Sequence, residues 1–489
     1  MEKRKNIFPP LILFLIGLVF RLPFLGVPFW RTPDAIEFID VARNIVLGKG
    51  LMQTIKWNFF DSSPVITSAF HGKPFFVSVI FSVILRLQND PYLLQLFLLI
   101  LGAVNVVLFY FLARKFLSEK ISFVASCFFA LNPNILITNR MVLSDQVFYF
   151  FILLSFLLFF GKDDIKKFIF LGIVTAFSYL TRAEGFFLIA VFLLVIIFQK
   201  KKLSQLFIFA GVFFLTAFPY FWGNAIINGS PFFNYNSYHF RVFHFYDAMF
   251  TGYGRTYPSA LSFIQTNFWW ILNSIRQGTV SNVKSLIGIT FFGPLILFSI
   301  FYKNFSRKFL PFLLFSLAIF LTFSVTWSVF SEPERHLAIV FILGLIPLFS
   351  LIKEKQTRKP FFILIILLTL VVYLGFDIHR IVWSRTIEAR TDAWSYQARK
   401  TTYEYLKNHT SSNSIIASTN PWMITLFSMR PSIMLGTNID NKNYCKFISQ
   451  YKISYLLTSD VKFKETLNKE AAFILKDQSL SLYKTSVCK

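Results

Sequence analysis

The sequence predicts an α-helical polytopic membrane protein, with about eleven transmembrane helices plus an interfacial helix and a small C-terminal α/β domain outside the cytoplasm. Three observations predict it. Of 489 residues 55% are hydrophobic and 19% aromatic, with 66 phenylalanines and only 15% charged residues, which is too apolar for a water-soluble globular chain. The apolar residues gather into runs that approach the roughly 20 residues needed to cross a hydrocarbon core. The Lys and Arg residues behind the net charge of +25 sit in short clusters between those runs, where cytoplasmic loops carry them. That clustering excludes nucleic-acid binding as the reason for the basic charge.

Lys3, Arg4 and Lys5 precede the apolar stretch from Ile7. This is the charge order of a signal peptide, but no small-residue cleavage site follows, so 7–25 reads as a first anchor. Further spans fall at 92–113, 121–138, 141–160, 168–181, 183–198, 205–227, 286–302, 309–330, 336–352 and 360–376. The run 75–87 is short, contains Arg86 and suits a helix lying at the interface. Keeping it out of the crossings places every basic cluster on the cytoplasmic side: Lys3 to Lys5, Arg114 with Lys115 and Lys120, Lys162 with Lys166 and Lys167, Lys200 to Lys202, Lys303 with Arg307 and Lys308, and Lys353 to Lys359. The N-terminus is then cytoplasmic. The short runs 168–181 and 183–198 read as a hairpin, because a single long span would put their basic flanks on opposite sides.

This topology assigns 1–376 to a transmembrane domain, with large outer loops at 26–74 and 228–285, and 377–489 to a soluble extracytosolic domain. The tail is rich in Ser, Thr, Asn and Lys, with strand-like pieces at 415–418, 453–457, 473–475 and 480–483. Cys127 lies within an apolar run, no cysteine spacing matches a metal site, and Cys445 with Cys488 is a candidate disulfide. Internal repeats are absent from the sequence, including the inverted repeats that would point to a transporter.

Ionisable residues near membrane depth are costly, so those at the outer ends of spans are the candidates for chemistry. In the first outer loop, residues 31–50 read as a turn and an amphipathic helix, with Pro33 and Asp34 at its start, Ile36, Ile39, Val41 and Ile45 on its apolar face, and Gly48 or Gly50 at its end. Asp145 opens an inward-running span. Each Asp has a plain reading as a helix cap. On short tethers at one membrane face, the two carboxylates could instead meet to orient a hydroxyl, take its proton or bind a divalent cation. Basic residues share that face: His71 and Lys73 before the interfacial helix, Arg182 beside Glu184 at the hairpin tip, and Arg335 and His336 opening the tenth span. Their plain reading is headgroup contact, and the alternative is a phosphate clamp.

The stretch RTPDAIEFIDVARNIVLGKG resembles the first-loop motif of the C-type glycosyltransferases related to protein mannosyltransferases and lipid A aminoarabinose transferases. Asp34, Phe38, Asp40, Ala42 and Arg43 keep the order of that motif, with Ala35 where the family usually has Glu. HGKPFF, MVLSDQVFYFF, YLTRAEG and ERHLAIVFILGLIP are similar to later family segments in matching order. The resemblance covers about residues 7–376 and implies the C-type glycosyltransferase fold. It also implies inverting transfer of a sugar from a polyprenyl-phosphate donor to a glycolipid, polysaccharide or protein acceptor outside the cytoplasm, in a bacterial or archaeal plasma membrane. By that resemblance Asp34 is the base, Asp145 a second carboxylate positioning a metal or the substrates, and Lys73, Arg182 and Arg335 bind the donor phosphate. Glu37, His71, Glu184 and His336 are further substrate-binding candidates, and a divalent metal ion at Asp34 and Asp145 is the one candidate cofactor. Ala35 bears on both metal and acceptor.

A transporter, flippase or polymerase for lipid-linked saccharides would share the polytopic body and the cations. A transporter should place ionisable groups near mid-membrane, whereas here they sit at span ends. A membrane scaffold with a binding tail leaves the outer-face carboxylates without a role.

Overall fold

The computed structural model describes residues 7–30, 32–59, 63–71, 73–199, 202–233, 259–290, 307–326, 333–351, 360–383, 385–386, 394–435, 441–458, 471–477 and 480–485. In chain order the first ten helices are α1 (Phe8–Val19), α2 (Pro33–Val46), α3 (Phe76–Leu85), α4 (Pro91–Ala113), α5 (Glu119–Ala130), α6 (Pro133–Thr138), α7 (Asp145–Phe159), α8 (Ile165–Thr181), α9 (Phe186–Phe198) and α10 (Leu203–Asn228). Later helices are named by their residues. The chain forms two compact units. One comprises Met1–Val27, Asp90–Phe233 and Asn267–Arg385, and the other Pro28–Asn89, Asn234–Thr266 and Thr386–Lys489. A single cut at residue 376 therefore does not describe the division, because the first outer loop clusters with the tail.

The first unit is helical. Among the described residues Pro91–Ala113, Leu203–Asn228 and Ile366–Trp383 are long and apolar enough to cross a membrane. Shorter apolar helices, including α7 and Leu310–Thr326, accompany them. The run expected at 121–138 is broken, because Asn132 caps a new helix whose first residue is Pro133. The hairpin expected at 168–198 is present as α8 and α9 joined by a single 3-10 turn. Phenylalanine rings fill the helix contacts: Phe156 lies 4.8 Å from Phe312 and 5.3 Å from Phe192 between ring centres.

The span expected at 286–302 is described only over 286–290. The helix there is already running at Phe268 and continues to Thr290, within the stretch read as an outer loop, and residues 291–306 lie outside the description. Its polar residues hide it from a hydropathy scan, because they serve a helix contact. Asn282 donates to Ser324 Oγ at 3.1 Å, and a Cβ on Gly278 would stand 2.3 Å from the Ser324 carbonyl oxygen, so the two backbones meet where glycine alone fits. The last span likewise outruns its expected end at 376, the helix continuing to Trp383.

The second unit has a six-stranded sheet in the order β2-β5-β4-β6-β8-β7 and a short β1-β3 ladder. Its strands are β1 (Met52–Gln53), β2 (Ile55–Lys56), β3 (Thr67–Ser68), β4 (Ile415–Ser418), β5 (Ser432–Met434), β6 (Ile453–Thr458), β7 (Ala471–Asp477) and β8 (Leu480–Thr485). The four strand-like pieces of the tail are strands, and β5 is an addition. β2 belongs to the first outer loop and pairs in parallel with β5, Ile55 opposite Ser432 and Lys56 opposite Ile433. That pairing fixes α2 against the tail helix Pro421–Ser428, both in one unit. The candidate pair Cys445 and Cys488 includes a residue outside the description.

Candidate active site

α2 begins where the sequence places it. Pro33 is the first helical residue, where its missing N–H costs nothing, and Asp34 lies in the first turn, where the helix dipole favours a carboxylate. The cap position belongs to Thr32, so capping is not what Asp34 does. Three residues on, Glu37 comes round to the neighbouring face. The Lys73 ammonium joins the two, donating to Asp34 Oδ1 at 2.5 Å and to Glu37 Oε2 at 3.0 Å. Glu37 Oε1 also accepts the indole N–H of Trp422 at 3.2 Å. The side chains differ in access: Asp34 is 38% exposed, Lys73 29% and Glu37 10%.

Access orders the electrostatics. Burial pushes the Glu37 carboxyl up, and Asp34 adds to the push, while Lys73 opposes it. Burial alone would pull the Lys73 ammonium down, but Asp34 and Glu37 outweigh it and hold the group above its ordinary value. Lys73 is thus a firm cation between two carboxylates.

Asp40 and Arg43, which carry much of the motif, lie elsewhere on α2. Asp40 is buried and accepts the Thr54 N–H and hydroxyl, each at 2.6 Å, tying α2 to the loop before β2. Burial raises its carboxyl to about 6, against the lowering effect of those two bonds. Arg43 donates to the Leu426 carbonyl at 2.8 Å and to Asn89 Oδ1 at 3.1 Å. Asp40 thus holds the first outer loop's own chain onto α2, and Arg43 holds the tail's helix there. His71 ends a short 3-10 helix, and its side chain lies outside the description.

Asp145 belongs to the other unit. It is the first residue of α7, and its side chain is 2% exposed. Arg182 Nη1 donates to its Oδ1 at 2.8 Å and Arg335 Nε to its Oδ2 at 2.9 Å, so the carboxylate is a bridge between two guanidinium groups. Arg182 Nη2 donates to Glu184 Oε1 at 2.9 Å and to His336 Nδ1 at 2.7 Å. A guanidinium can only donate, so Nδ1 accepts and the neutral ring carries its proton on Nε2. The hairpin tip reaches this position because it folds tightly on α8: a Cβ at Gly185 would lie 2.4 Å from backbone atoms of Ser178 and Tyr179. A cavity of about 10 Å³ beside Phe148, Tyr149, Phe323 and these polar groups is close to water-sized.

The candidate residues therefore assemble into two groups. Asp34, Glu37 and Lys73 form one, and Asp145, Arg182, Glu184, Arg335 and His336 form the other. Each carboxylate is paired with cations of its own unit. Trp422 was not singled out in the sequence, since a contact across 385 positions leaves no local signal. Among the described residues no three His, Cys, Asp or Glu side chains come together as a metal-holding set.

The fold aligns with the crystal structure of ArnT from Cupriavidus metallidurans bound to undecaprenyl phosphate at a TM-score of 0.61, covering 99% of this chain and 98% of that one at 11% identity. The chain has the C-type glycosyltransferase fold. The C-type fold also aligns it with the apo oligosaccharyltransferase of Archaeoglobus fulgidus, at a TM-score of 0.60 and 12% identity over 100% of this chain and 75% of that one. The fold is similar as well to that of the arabinofuranosyltransferase AftD from Mycobacteria, in its R1389S mutant, at a TM-score of 0.52 and 13% identity over 99% of this chain and 42% of that one. The family profile for dolichyl-phosphate-mannose-protein mannosyltransferase matches residues 72–222, which contain Lys73, Asp145, Arg182 and Glu184. No curated protein sequence matches the chain. Its membrane-spanning character follows from the C-type fold and the apolar helices together.

Proposed function

We propose that this protein is an inverting glycosyltransferase that moves a sugar from a polyprenyl-phosphate donor to a glycolipid, polysaccharide or protein acceptor at the non-cytoplasmic face of a bacterial or archaeal plasma membrane. The observation that carries the proposal is the open carboxylate of Asp34, held by Lys73, at the start of an outer-loop helix in a C-type fold. A base must touch its substrate, and Asp34 is 38% exposed where Asp145 is 2% exposed. The clustering of Lys and Arg in the loops on one side of the expected spans supports the orientation, with the N-terminus inside and the tail outside.

In the proposed step the acceptor hydroxyl gives its proton to Asp34, and its oxygen forms a bond to the anomeric carbon. The bond from that carbon to the phosphate oxygen breaks on the opposite face, its electron pair leaving with the polyprenyl phosphate. One displacement inverts the anomeric centre. Phosphate is a good leaving group once cations meet its charge, so no strong general acid is needed. Lys73 supplies a point charge, and Arg182 and Arg335, held in place by Asp145, are assigned to the phosphate as fixed guanidinium charges. Glu37 sets the position of Lys73. His71, Glu184 and His336 are assigned to substrate contact. Among the described residues neither unit brings three His, Cys, Asp or Glu side chains together for a divalent cation.

The test is transfer by Asp34→Asn in membranes supplied with labelled polyprenyl-phosphate sugars and candidate acceptors. Loss of transfer with donor binding retained supports the assignment. Transfer at the wild-type rate removes Asp34 as the base.

A further inference from the structure

The second unit contains a cavity of about 360 Å³ that the proposed reaction does not use. It lies at the C-terminal end of α2, about 15 Å along the helix from Asp34 at 1.5 Å per residue. Its size is at the lower end of the roughly 300–1,000 Å³ typical of small-molecule sites.

The floor is fixed by the bonds already described. Asp40 holds Thr54, and Asn44 donates to the Met52 carbonyl at 2.9 Å and to Asp40 Oδ1 at 3.3 Å. Thr425 is held by the Arg430 carbonyl at 2.9 Å and the Ser432 hydroxyl at 2.7 Å. The rim is exposed and polar, formed by Lys49, Ser412 and Asn413, with Leu47, Ile66 and Met429 as apolar contacts between them. Met429 holds φ +56°, a left-handed backbone that an unbranched residue adopts only at a cost, and this turns the end of its helix to the cavity mouth.

Two chemical features identify the class of ligand. Amide and hydroxyl groups share the lining with apolar side chains, which suits a molecule with hydroxyls along its edge and C–H groups on its faces. The charge is cationic: Arg43 and Lys49 face one carboxylate, and Asp40 is buried with its oxygens already engaged by Thr54 and Asn44. A free fatty chain or a cationic headgroup fits neither feature.

We propose that this cavity binds a saccharide unit carrying a negative group, a phosphate or a carboxylate, and that this unit is a remote part of the acceptor. The second half of the proposal rests on the transferase reading, since it places the reacting hydroxyl at Asp34 and the anionic sugar at the far end of α2. Binding energy gathered there would position the acceptor for a reaction one helix length away.

The experiment uses the full chain in detergent, with no donor, and reads saturation transfer to sugar C–H protons by NMR. The probes are glucuronic acid, glucose 1-phosphate, glucose and inorganic phosphate. Signals from glucuronic acid, glucose 1-phosphate or both, at least tenfold weaker with Lys49→Glu and with Asn413→Trp and unchanged with Asp34→Asn, are the expected result. A response from glucuronic acid alone or glucose 1-phosphate alone assigns the negative group. Signals from glucose as strong as from the anionic sugars overturn the charge requirement, and inorganic phosphate displacing both sugars equally well overturns the saccharide class. No signal from any sugar, or equal signals from wild type and both rim variants, overturns the site. Because binding is read without turnover, transfer by Asp34→Asn at the wild-type rate would remove Asp34 as the base while leaving this site standing, and absence of transfer from every donor by the wild-type protein would remove the transferase reading without touching the binding result.

Discussion

The Trp422 indole N–H donates to Glu37 Oε1 at 3.2 Å, joining the tail to the first outer loop across 385 positions of sequence. Glu37 in turn holds Lys73, and Lys73 holds Asp34. The tail thereby reaches the proposed base through one hydrogen-bond chain. Trp422→Phe keeps the ring's bulk and removes the donor, leaving Glu37 Oε1 short of a partner in a buried place, a loss of about 1–3 kcal/mol. Chemical unfolding of the purified protein measures that loss, and the transfer rate of the variant should fall while the protein stays folded.

Asp34 and Asp145 should separate stability from activity. Asp34→Asn changes a 38% exposed group and should cost under about 1 kcal/mol of stability while abolishing transfer. Asp145→Asn leaves Arg182 and Arg335 without their shared counter-charge in a buried setting, and should cost roughly 3–5 kcal/mol. Thermal unfolding of both variants beside a transfer assay tests the contrast. Equal destabilisation by the two would remove it.

Lys73→Met leaves two carboxylates side by side on α2 with no cation between them. Like charges at that spacing repel, so transfer and stability should both fall. Adding Glu37→Gln to Lys73→Met removes the repulsion, and the double variant should recover stability and not transfer. A double-mutant cycle on the two substitutions measures the coupling.

Asp40 predicts a pH dependence. Its carboxyl rises on folding from 3.8 to about 6, so the folded protein holds this proton more tightly than the unfolded chain does. The contribution to stability is then fully present below about 3.8, declines as pH rises through about 6, and is flat above. Subtracting the pH profile of Asp40→Asn from that of the wild type should isolate this decline between those limits. A difference profile that rises with pH would contradict it.

Much of this was legible in the sequence because the signals are local. The start of α2 is written in Pro33 and Asp34, its end near Gly48 follows from a backbone at φ +73°, and the short hairpin from α8 to α9 follows from the charges flanking it. Four strands of the tail announce themselves by apolar residues between polar turns. The candidate residues were found one by one at the ends of apolar runs, since carboxylates and cations stand out where a membrane makes them costly. The helix from Phe268 was missed because its Asn282 and Gly278 face another helix rather than lipid, and hydropathy counts only composition.

The sequence by itself determined that the chain is a helical membrane protein with a polar tail, and which side chains are candidates for chemistry, because hydrophobicity and charge act over neighbouring residues. Only the tertiary structure decided who is paired with whom. It tied Asp40 to the first outer loop's own Thr54 and Arg43 to the tail, drew the first outer loop into the tail's sheet through Ile55 and Lys56, and closed Asp145 between two arginines 37 and 190 positions away. Such pairings depend on how the chain folds back through space, and no run of neighbouring residues encodes them.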